Sequence, residues 1–142
     1  MNARLIPILL TALCLPGCSK EGAASSVTDK TAGLADEHGA TVSLGSVKLG
    51  EFDVQVAHAG AVEAGKEIGV DLTFAKGKAL PTVRAWVGIE AGTGSMKAKL
   101  AKEGDDKLHG HVEVPKPLPE GAKLWLELEG ATPVLASIAL KK

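Results

Sequence analysis

Aromatic residues are scarce in this 142-residue chain: two Trp, two Phe and no Tyr, 3% in all. So few rings exclude the rows of stacking platforms that hold single-stranded nucleic acid. A basic excess is missing too, because 16 Lys and Arg stand against 17 Asp and Glu for a net charge of −1. Duplex binding draws on such an excess, so nucleic acid is not an expected partner. Cysteine stops at Cys14 and Cys18, both near the amino terminus, which leaves the rest of the chain without a disulfide framework. The apolar run from Leu5 to Leu15 contains Pro7 and falls short of the about 20 residues that a membrane-spanning helix needs. Glycine, by contrast, is abundant at 17 residues, with seven prolines beside it. That punctuation favours many short strands and turns over long helices.

The chain opens Met1-Asn2-Ala3-Arg4, continues through the apolar run and reaches Leu15-Pro16-Gly17-Cys18. A short basic segment, an apolar stretch and a small residue before a cut make the layout of a secretory signal peptide. The ending resembles the lipobox of bacterial lipoproteins, with Leu three residues before a Cys and a small residue directly before it. That resemblance implies transfer of diacylglycerol to the Cys18 sulfur, cleavage after Gly17 and acylation of the new amino terminus. Residues 1–17 are then a lipoprotein signal peptide, and two or three acyl chains at about 0.8 kcal/mol per buried CH₂ hold the mature protein on a membrane. Ser19 follows the Cys; the sorting pattern of such lipoproteins points to the outer membrane where one is present. The expected location is the bacterial envelope, lipid-anchored and facing the periplasm. Between Cys18 and Gly39 only Val27 and Leu34 are large and apolar, so residues 18–39 are expected to form a lipidated, flexible linker.

From residue 40 the hydrophobic period becomes two. Phe52, Val54 and Val56 alternate with polar or small residues, as do Ile68 to Phe74, Val83 to Ile89, Met96 to Leu100, Leu108 to Val114, Leu124 to Leu128 and Val134 to Leu140. At the start, Val42 and Leu44 slip register across Gly45-Ser46 to Val47 and Leu49, which predicts a bulge or a strand that changes sheets. Turn chemistry separates the runs at Gly65, Gly77, Gly92-Thr93-Gly94, Gly104 and Gly121. Pro115-Lys116-Pro117-Leu118-Pro119 cannot sit in a ladder and is expected to be a stiff crossover between sheets. About eight short strands, each with one apolar face, predict an all-β domain over residues 40–142: an antiparallel, immunoglobulin-like β-sandwich, or alternatively a small barrel.

Catalytic chemistry has little to work with. No Gly-x-Ser-x-Gly elbow is present, Gly92-Thr93-Gly94-Ser95 lacks the Gly-Lys-Ser/Thr ending of a phosphate loop, and Asp105-Asp106 sits at a turn. The chain is therefore not expected to be an enzyme, nor to need a catalytic cofactor. Two other features stand out. In His109-Gly110-His111 the period places both imidazoles on one strand face, about 7 Å apart, with Glu113 continuing it. Such a pair can share zinc or copper, with His58, His38 or Met96 as candidates for a third ligand. A short hairpin around Gly104 would set Lys97 and Lys99 opposite that face and repel a cation, which favours an ordinary solvated strand. The other feature is Trp86 and Trp125, both at the polar parity of their strands. Bare indoles are costly. They are expected either to be covered, by lysine stems among other groups, or to form a contact patch for a partner.

Arg84-Ala85-Trp86-Val87-Gly88, followed by Leu108 through Pro119 and by Leu124-Trp125-Leu126-Glu127, resembles small exported bacterial β-sandwich domains of the YtkA and FixH kind. The resemblance implies a sandwich, and for some members a link to copper handling or oxidase assembly. The function expected from the sequence is a non-catalytic, lipid-anchored accessory or interaction module of the cell envelope, attached to the membrane and available to an envelope protein partner. The alternative is a periplasmic copper- or zinc-binding or delivery protein.

Overall fold

Alternating side chains put one face of each run out of water, and two such faces bury one another. The structure, a computed structural model, describes residues 39–141. Residues 1–17, expected as a signal peptide, Cys18 and almost all of the expected linker lie outside those residues. The described chain is an antiparallel β-sandwich. Its strands are β1 (Thr41–Leu49), β2 (Phe52–Ala59), β3 (Glu67–Thr73), β4 (Val83–Gly88), β5 (Ala98–Lys99), β6 (Ala101–Lys102), β7 (Lys107–Glu113), β8 (Lys123–Leu128) and β9 (Val134–Ala139). They build a five-stranded sheet in the order β1-β2-β3-β7-β6 and a four-stranded sheet in the order β5-β4-β8-β9.

Between the sheets lie Val54 and Val56 of β2, Ile68, Val70 and Leu72 of β3, and Leu108 and Val112 of β7. Val83, Ala85 and Val87 of β4 and Leu124 and Leu126 of β8 face them. Burying each Val, Leu or Ile contributes about 1.5–3 kcal/mol. Phe52 meets Phe74 edge to face at 5.6 Å between ring centroids, at the rim of this core.

The register slip in β1 is a bulge between Ser43 and Gly45. Gly45 adopts φ +118° there, a conformation costly for any residue with a Cβ. The strand stays in its sheet. The strand that changes sheets is the run from Met96: β5 pairs with β4, whereas β6 pairs with β7. Leu100, buried between them and hydrogen-bonded through its N–H to Val83 O at 3.0 Å, is the corner. The run expected as one strand is thus two strands of two residues each. The Pro115–Pro119 segment does cross from β7 in one sheet to β8 in the other.

The switch corrects two expectations. Met96, given core parity by the alternation, is 66% exposed because it precedes β5 in an irregular segment. Lys97 and Lys99 do not face the histidines. Lys99 pairs with Arg84 of β4, Lys97 reaches Glu127 of β8 at 2.6 Å, and the residue opposite His109 is Ala101.

Candidate functional site

On the outer face of the five-stranded sheet, β3 and β7 bring together side chains distant in sequence. The register pairs Asp71 with His109, Gly69 with His111 and Glu67 with Glu113. His109 donates from Nδ1 to Asp71 Oδ1 at 2.9 Å, an assignment that follows because a carboxylate only accepts. This leaves the lone pair of the neutral ring on Nε2. Glu103, just after β6, is drawn in by the tight turn at Gly104, where its N–H bonds Lys107 O at 2.9 Å. Its carboxylate lies 3.6 Å from Lys107 Nζ. Asp71, Glu103 and His109 each place one ligand-type atom within 4.8 Å of the other two. His111 stands edge-on to His109, with ring centroids 5.3 Å apart.

The expected set His109, His111, Glu113 and His58 is therefore divided. The two histidines do share a face and touch. Glu113 is on that face but lies toward the end of β7, lining a groove of about 410 Å³ with Met96, Pro115 and Lys116. His58 is excluded by parity. It continues the inward row of Val54 and Val56, is 2% exposed, and donates from Nε2 to Lys141 O at 3.1 Å. Its Nδ1 is buried without a hydrogen-bond partner among the described residues. His38 lies outside the described residues. Asp71 and Glu103 were not singled out by the sequence. Alternation marks Asp71 as outward-facing, but only strand order shows that β7 is its neighbour.

The tryptophans occupy the outer face of the other sheet, paired across β4 and β8. Their rings stack 6.2 Å apart at 13°. Trp86 is fully buried, so it cannot serve as the contact patch considered for it. The segment after β4 folds back over it. Trp86 Nε1 donates to Ile89 O at 2.8 Å, Trp125 Nε1 to Gly88 O at 3.0 Å, and Ser95 Oγ to Val87 O at 2.6 Å. Lys97 Nζ lies 4.2 Å from the Trp86 ring centroid, a cation–π contact. A lysine stem was an expected cover; the loop that delivers it was not. Trp125 is left half-buried.

Among the described residues no helix is long and apolar enough to cross a membrane. No protein family, curated protein or solved structure matches the chain.

Proposed function

We propose that this chain is a non-catalytic binding module of the bacterial envelope, anchored through lipid on Cys18, and that the outer face of its five-stranded sheet holds a divalent transition metal, zinc or copper. The observation that carries the metal reading is the convergence of Asp71, Glu103 and His109 within 4.8 Å. One imidazole and two carboxylates suit a borderline cation. Asp71 Oδ1 and His109 Nδ1 already converge at 2.9 Å, and a cation held between them would take the place of the proton they share. Lys97 and Lys99, the lysines expected to repel a cation, lie against the other sheet; Lys107, 3.6 Å from the Glu103 carboxylate, would have to give up that partner to the metal.

Calorimetric titration of the protein with zinc and with copper tests this. Binding is expected, and His109→Ala or Asp71→Asn should weaken it about ten- to a hundredfold. Glu113→Gln, away from the cluster, should leave it unchanged. Affinity that is indifferent to His109 and Asp71, or no binding beyond that of an unrelated surface histidine pair, defeats the metal reading.

A further inference from the structure

Structural zinc sites are closed by four protein ligands, whereas sites that must admit another group keep a position open. Asp71, Glu103 and His109 are three, which leaves one position of a tetrahedral ion for a newcomer. Their burial is uneven. The Asp71 and His109 side chains are 18% and 19% exposed and stand on β3 and β7, strands paired on both sides in the sheet. Glu103 is 51% exposed and follows β6, the two-residue strand at the sheet edge. Each of the three also has a second partner within the chain. Asp71 Oδ1 and His109 Nδ1 bond each other at 2.9 Å, and Lys107 Nζ lies 3.6 Å from Glu103 Oε2. A departing ion would therefore strand no unpaired group, the loss that opposes release from a buried site.

We infer that this site passes its ion on: an acceptor's donor atom enters the open position, and Glu103 is the ligand that leaves. The inference rests on the metal reading above and adds the way the ion departs. A bond forms from a nitrogen or sulfur lone pair of the acceptor to the ion. The bond to the Glu103 carboxylate oxygen breaks, its electron pair staying on oxygen, and no oxidation state changes. The freed carboxylate returns to Lys107, so the lysine competes with the ion for Glu103 and assists its departure. Asp71 and His109 then regain their hydrogen bond, the ring proton moving from Nε2 back to Nδ1 through solvent. Nitrogen or sulfur donors suit a borderline ion better than two carboxylates do, which sets the direction of transfer.

Stopped-flow transfer of zinc from the loaded full chain to 4-(2-pyridylazo)resorcinol, a chromogenic chelator with nitrogen donors, tests this beside calorimetric zinc titration. The transfer rate should rise in proportion to chelator concentration, as entry at an open position requires. Lys107→Gln should tighten zinc by up to about fivefold, the contribution of an exposed ion pair, and slow transfer by a similar factor. Lys99→Gln, against the other sheet, should change neither. A rate independent of chelator concentration means that the ion leaves before anything enters; it overturns the inference and leaves the metal reading standing. So does Lys107→Gln with unaltered affinity and transfer. A titration without zinc binding overturns both.

Discussion

Gly110 shows how a single residue serves packing where the sequence suggests only spacing. Between His109 and His111 it reads as a linker within a ligand pair. The structure places it on the inward face of β7, under the corner where the switching strand passes. A Cβ added there would lie 2.7 Å from Leu100 Cδ2 and 3.4 Å from Leu100 Cα. Leu100 is 3% exposed and has little room to yield. Gly110→Ala is therefore expected to cost about 1–3 kcal/mol through overpacking, measured as a lower midpoint of urea unfolding. Stability equal to the wild type would mean that the corner is looser than these distances imply. His58 carries the same lesson. Its inward parity with Val54 and Val56 was available in the sequence, but histidine chemistry made it look like a ligand.

At the scale of elements, the segment between β4 and β5 does the most that alternation cannot report. It is a lid over Trp86, built on Gly88 at φ +144°. A Cβ on Gly88 would sit 2.3 Å from Ser95 Oγ, the atom that ties the lid to Val87 O. Gly88→Ala thus combines a strained backbone with a clash, and should lift the lid at a cost of about 1–3 kcal/mol. Because the chain has only two tryptophans, a red shift of fluorescence emission in the folded variant reports the loss of cover. An unchanged emission maximum would show that the indole is shielded without the lid. Trp86 was legible as a residue needing cover; what covers it depended on hydrogen bonds to backbone carbonyls, which leave no pattern in side-chain hydrophobicity.

For the whole molecule, the first strand among the described residues begins at Thr41. If Cys18 carries lipid, as proposed, Cys18→Ser should release the protein from membranes or leave an unprocessed precursor. Membrane fractionation and the mass of the mature chain check this, and normal fractionation with a normal mass would refute the anchor. The sequence alone determined the all-β class, the inward rows of β2, β3, β4, β7 and β8, the register slip in β1, which the structure resolves as a bulge, and the proline crossover. Each of these follows from local alternation or from the backbone limits of Gly and Pro. Only the tertiary structure decided that β7 lies between β3 and β6, that the run through Leu100 divides between sheets, and that Asp71 and Glu103 join His109 while His58, Lys97 and Lys99 do not. A period of two specifies which face a side chain takes; it carries no information on which strand lies alongside, and a site assembled across strands is set by that neighbour.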